Sequence, residues 1–111
     1  MTTDAAPIDP LMLDLFRVEL ENNTRMLEAG LVTAERDQTP ERIEPLMRAA
    51  HSIKGAARIV GLNTAVTLAH AMEDVLSAAQ NGKRPLTSTA VDRLLKGNDF
   101  FAALSRLDIQ E

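Results

Sequence analysis

Cysteine, tryptophan and tyrosine are absent from these 111 residues, and Phe16, Phe100 and Phe101 are the only aromatic rings. Without cysteine there can be no disulfide framework, no thiolate metal site and no cysteine nucleophile. A core so short of rings must be assembled from Leu, Ile, Val, Met and Ala. Together with many Glu and Arg residues, these favour helices over the aromatic, β-branched patterning of a sandwich. A basic excess is missing too. The formal net charge is −4, which argues against nonspecific nucleic-acid binding, because that requires a cationic footprint. No apolar run approaches the roughly 20 residues that span a bilayer. The start Met1-Thr-Thr-Asp-Ala-Ala-Pro7 is neither basic nor followed by a signal-type apolar stretch. A cytoplasmic chain without membrane insertion is expected. Its length suits one domain over 1–111, with no room for a separate nucleotide-binding lobe.

What the chain does have is helix punctuation. After a small, polar stretch at 1–8, expected to be flexible, Asp9-Pro10 pairs a capping carboxylate with a proline suited to the first helical position. Apolar residues then recur at Leu11, Leu15, Val18, Met26, Leu27, Leu31 and Ala34. They predict one long helix over about 10–37, with Gly30 its weak point. Thr39-Pro40 repeats the start signal for a helix over 40–60. Pro45 means that either its first turn is irregular or its regular part begins nearer 44. Gly61 supplies the stop and Asn63 a cap for a third helix over 63–80, which ends at the turn signal Asn81-Gly82. Thr87 opens a fourth over 87–107, which Gly97-Asn98 is placed to bend. Four helices joined by short connections predict an all-α, antiparallel up-and-down four-helix bundle.

On the second helix, Leu46, Ala50, Ile53, Ala57 and Val60 are spaced +4, +3, +4, +3 and form the expected core stripe. His51, Lys54, Gly55 and Arg58 fall on the other side, with Arg48 one turn before the histidine. His51 is therefore expected in solvent among cations. That position suits a histidine that carries a phosphoryl group. An imidazole titrates near 6.5 in peptides, which leaves a ring nitrogen free to attack phosphorus near neutral pH. Lys54, one turn on, is placed to offset the phosphoryl charge, and Arg48 and Arg58 extend that field. Gly55 costs helix stability and adds no contact, so its expected use is room for a partner's backbone to approach the ring. The third helix has its own stripe, Ala65, Leu68, Ala69, Met72, Leu76 and Ala79, with His70 away from it and Glu73 at its margin. A hydrogen bond from His51 to Glu73 would fix the tautomer and leave the other ring nitrogen free. Met12, Met26, Met47 and Met72 read as core or core-edge filler.

The run Ala50-His-Ser-Ile-Lys-Gly-Ala56, followed by Gly61 and then His70-Ala-Met-Glu73-Asp-Val-Leu76, resembles a histidine phosphotransfer (HPt) domain. It is most similar to the N-terminal domain of CheA-type chemotaxis kinases, because the second His-x-x-Glu is usually missing from other HPt domains. Residues 48–62 with His70-Ala-Met-Glu-Asp are similar to the CheA-like hybrid kinase of Wsp-type surface-sensing systems. The resemblance covers nearly the whole chain, with its specificity concentrated in residues 48–76. It implies His51 as phosphoryl acceptor, Lys54 as the phosphate-side cation, and His70 and Glu73 as members of a supporting hydrogen-bond network. Arg48, Ser52, Gly55 and Arg58 are the expected partner-contacting positions. Arg58 departs from the pattern, which often has a small residue there, and so stands between two roles, phosphate neighbour and partner contact.

The resemblance further implies an ATP-bound kinase catalytic domain on the same polypeptide as donor, and a receiver domain as acceptor. No cofactor is expected here, since ATP belongs to the kinase and Mg²⁺ to the receiver. A fifth helix and a downstream kinase, common in that branch, do not fit, so an N-terminal fragment of a larger hybrid kinase is expected. Two other classes compete. A metal site on His51, His70 and Glu73 is disfavoured because Lys54 would repel a cation and no His-Glu-x-x-His spacing occurs. A non-catalytic helical adaptor would tolerate loss of His51.

Overall fold

The computed structural model describes residues 9–107; the reading of 1–8 as a flexible start lies outside them. Four helices follow in order, α1 (Pro10–Ala34), α2 (Pro40–Ile59), α3 (Asn63–Gln80) and α4 (Ser88–Ser105). Each packs on its neighbour in sequence and α4 returns to α1, closing the bundle. The α3–α4 seam is the thinnest. The expected fold class is the one observed.

The ends follow from local chemistry. Asp9 accepts the Leu11 amide at 2.9 Å ahead of Pro10, and Thr87 accepts the Ala90 amide at 3.1 Å to start α4. Helix α2 ends in a paired-carbonyl stop. Gly61, at φ 77°, donates to Arg58 while Leu62 donates to Ala57, so two otherwise orphaned carbonyls are satisfied by a conformation that only glycine adopts freely. Asn63 does not cap α3 as expected. The cap position belongs to Leu62, whose side chain packs on the core, so burial displaced a polar cap. Pro45 lies inside α2. It removes one hydrogen bond, that to the Glu41 carbonyl, and the helix continues through it. Helix α1 stops at Ala34, three residues short of expectation. The chain then turns towards Gln38, whose side-chain amide exchanges hydrogen bonds of 2.8 and 2.7 Å with the backbone of Leu86.

The main correction concerns α1. Leu11, Leu15, Val18 and Met26 are exposed, and the buried stripe is Leu13, Phe16, Leu20, Thr24, Leu27, Leu31 and Ala34. That stripe keeps helical spacing throughout, but Thr24 masks it in the sequence. Its hydroxyl is satisfied locally by the Glu21 carbonyl, 3.2 Å away. The expected α2 stripe is buried in full, and Met26 is the one methionine of the four named that is exposed. Gly30 is not a weak point but a contact, because a Cβ there would collide with the Leu46 side chain. Helix α4 runs unbroken through Gly97 and Asn98. Gly97 admits Met72 of α3, and buried Asn98 donates at 3.0 Å to the Thr24 carbonyl of α1.

Candidate functional site

His51 takes its place from its neighbours. Ala50 and Ile53 hold α2 to the core on one side of it, and Ala69, Met72 and Leu76 hold α3. Glu73, next to buried Met72, therefore projects across the seam rather than into water. Its two oxygens grip two residues of α2 that lie one turn apart. Oε2 is 2.8 Å from Nδ1 of His51, and Oε1 is 2.7 Å from Nζ of Lys54. The Lys54 contact is foremost an ion pair, since it lacks the direction of a good hydrogen bond. The side chains of Lys54 and Glu73 are only 15% and 19% exposed, whereas that of His51 is 66% exposed. The clamp is covered and the ring is offered to solvent.

Electrostatics fixes the proton. Partial burial raises the Glu73 pKa, but Lys54 and His51 beside it outweigh that and hold the group below its ordinary value. An ionised carboxylate can only accept hydrogen bonds, so Nδ1 of a neutral His51 must carry the hydrogen and donate it. The Nε2 lone pair is then the free one. Around Gly55, one turn beyond, nothing outside the local helix backbone lies within 4 Å of where a Cβ would sit. Internal packing does not demand glycine there.

The other expected site residues are distributed differently. Arg48 donates to Glu44 of its own helix at 2.9 Å, and both side chains are exposed. Arg58 is exposed and has no ion pair among the described residues. Ser52 turns to the α1 side, where it lines an apolar groove with Met12, Leu15, Ala56 and Ile59. His70 does not join the clamp. Its Nε2 lies 3.5 Å from Asp74, one turn along α3, in an exposed pair. Sequence reasoning overlooked Glu44 and Asp74 as partners, although both stand at i,i+4 spacing from the residue they pair with. Among the described residues no group of three or more His, Cys, Asp or Glu side chains is placed to hold a metal ion. No helix there is long and apolar enough to cross a membrane.

The sequence profile of the family described as Hpt domain matches residues 11–108. The chain belongs to the Hpt domain family. This Hpt domain is 31% identical over 102 residues to the gliding motility regulatory protein of Myxococcus xanthus, an alignment covering 92% of the chain and 13% of that protein. It is 34% identical over 82 residues to the chemotaxis protein CheA of Listeria monocytogenes, covering 73% of the chain and again 13% of the relative. The chain thus spans about an eighth of the length of these relatives. Among solved structures it is similar to the CheA phosphotransferase domain from Thermotoga maritima, with a TM-score of 0.79 and 28% identity over 84% of this chain and 90% of that one. The Hpt fold and a histidine phosphotransfer role follow from these matches.

Proposed function

We propose that this Hpt domain carries its phosphoryl group on Nε2 of His51, receives it from ATP bound to a histidine kinase catalytic domain, and passes it to an aspartate of a receiver domain. The observation behind this reading is the grip of Glu73 on Nδ1 of His51, which leaves Nε2 unprotonated on an exposed ring. In the first step the Nε2 lone pair attacks the γ-phosphorus. The bond from that phosphorus to the bridging oxygen breaks, and ADP leaves with the electron pair. The Nδ1 proton stays in its hydrogen bond, and Glu73 offsets the positive charge that the ring acquires. In the second step a carboxylate oxygen of the receiver attacks phosphorus, the N–P bond breaks, and its electrons return to Nε2 as a lone pair.

Both steps need an in-line donor and acceptor, and the bare helix surface at Gly55 leaves room for either partner. Lys54 holds Glu73, while Arg48 and Arg58 border the approach as partner contacts and Ser52 faces the groove beside α1. His70, paired with Asp74, stands outside the clamp. This division of labour puts ATP on the kinase and Mg²⁺ on the receiver, with no cofactor resident here and no ATP hydrolysis by the isolated chain. The likeness to CheA-type proteins supports a kinase on the same polypeptide, acting in the cytoplasm. Incubation with the cognate kinase and γ-labelled ATP is the test. The expected product is an acid-labile, base-stable label on wild type that disappears in His51→Gln while helix content is unchanged. Wild type without label, or His51→Gln that keeps it, overturns the assignment.

A further inference from the structure

A phosphoryl group on Nε2 would bring nearly two negative charges to a face where the carboxylate of Glu73 already stands. Three cations lie on that stretch of α2, and the structure distinguishes them. Lys54 is committed to Glu73 at 2.7 Å in a largely covered pair; moving it to a phosphate would leave a partly buried carboxylate oxygen without its cation, and the carboxylate with His51 as its remaining partner. Arg58 is seven residues beyond His51, a rise of roughly 10 Å along the axis. Arg48 is one turn before His51, where Cβ atoms are about 5–6 Å apart. Helical side chains lean towards the N-terminus, so the ring of His51 extends over the turn that holds Arg48. Arg48 meanwhile is occupied by Glu44, in a pair whose side chains are 75% and 44% exposed. Such a pair is weakly held.

Resting on the assignment of His51 as phosphoryl carrier, we propose that Arg48 is the counter-ion of the phosphorylated state. On phosphorylation its guanidinium leaves Glu44 and binds the phosphoryl oxygens, while Lys54 stays on Glu73. A guanidinium fork fits phosphate oxygens in pairs, and a charge-assisted contact to a dianion outcompetes an exposed glutamate. Arg48 is thus a phosphoryl-binding residue whose partner depends on the state of His51, with Glu44 as its resting place. Burial decides which cation moves: the covered pair stays and the exposed pair exchanges.

Chemical phosphorylation of the full chain with phosphoramidate tests this without the kinase. A His70→Gln background restricts labelling to one ring, and the second ionisation of the phosphoryl group is followed by phosphorus NMR. Arg48→Gln is expected to raise the titration midpoint by roughly half a unit to one unit, because a neighbouring cation favours the dianion. Arg48→Lys should restore part of that shift, and Glu44→Gln should lower the midpoint slightly by freeing the arginine. A midpoint unmoved in Arg48→Gln, or moved more by Arg58→Gln, overturns the proposal. Because the phosphoryl group is added chemically, this outcome is distinct from failure of the kinase to label His51.

Discussion

Lys54 and Arg48 flank His51 on one helix, and each is paired with a glutamate, yet the two pairs do different work. Lys54–Glu73 crosses from α2 to α3, is mostly covered, and shares its carboxylate with the ring of His51. Arg48–Glu44 lies along one helix in solvent, and neither partner has a further ion pair among the described residues. The first pair is part of the bundle, because its geometry exists only when α2 and α3 are packed. The second would form on an isolated helix. Distances of 2.7 and 2.9 Å hide this difference, whereas burial and connectivity expose it. A covered carboxylate serving two donors sets a proton position, and an exposed pair only decorates a helix until a stronger anion arrives.

Removing Glu73 should give the largest effect. Glu73→Ala leaves Lys54 covered without a partner and removes the hydrogen bond that orients His51. A loss of about 1–2 kcal/mol in stability is expected, by analogy with bonds to charged groups discounted for partial exposure. Denaturant unfolding measures it. The rate of His51 phosphorylation by the cognate kinase should fall by roughly 10- to 100-fold, the usual penalty for losing an orienting partner. Glu73→Gln should recover much of the stability but little of the rate, since an amide does not offset the charge of the ring. Equal rates in Glu73→Gln and wild type would mean that the carboxylate sets no proton position.

The same carboxylate gives a pH signature that the exposed pair does not share. The Glu73 pKa in the folded protein is below the ordinary value of 4.5. Its contribution is therefore fully present above that ordinary value and is lost as pH falls through the lowered one. Below about pH 5 the stability gap between wild type and Glu73→Gln should close progressively. Unfolding at a series of pH values checks this, and a gap that widens on acidification would reverse the assigned direction.

Gly55 adds a reference point, a site-face position with no pair at all. Since nothing lies near its missing Cβ, Gly55→Ala should stabilise the isolated domain by about 0.5–1 kcal/mol. If the bare surface admits a partner, the same substitution should slow transfer to the receiver. A faster or unchanged transfer with raised Tm would show that the glycine is dispensable. This position also marks how much was legible in advance. The wheel of α2 put His51 outside and Ala50, Ile53 and Ala57 inside because every core position there is apolar, whereas Lys54, expected outside as well, is largely covered by the seam with α3. On α1 the same reasoning failed, because Thr24 interrupts the true stripe while exposed Leu11, Leu15 and Val18 imitate one. A one-dimensional pattern cannot tell a satisfied buried hydroxyl from a solvent-facing one. The carboxylate of Glu73 was legible as a neighbour of His51, but its simultaneous hold on Lys54 was not, since that depends on how closely α2 and α3 approach. Likewise, the pairing of His70 with Asp74 rather than Glu73 follows from which side of α3 faces the seam.

The smallest effect belongs to the exposed pair. Arg48→Ala and Glu44→Gln should each change stability by no more than about 0.5 kcal/mol, the worth of an i,i+4 helix pair in solvent. The double variant should show a coupling within that limit, and the coupling should vanish in high salt. The covered pair gives the contrast. The coupling between Lys54→Met and Glu73→Gln should exceed that of Arg48 and Glu44 and keep most of its size in salt, since little solvent reaches between the partners. Two double-mutant cycles at two ionic strengths measure this difference. Equal couplings with equal salt dependence would remove the distinction between a fixed cation and a movable one, and with it the physical reason for Arg48 rather than Lys54 to follow the phosphoryl group.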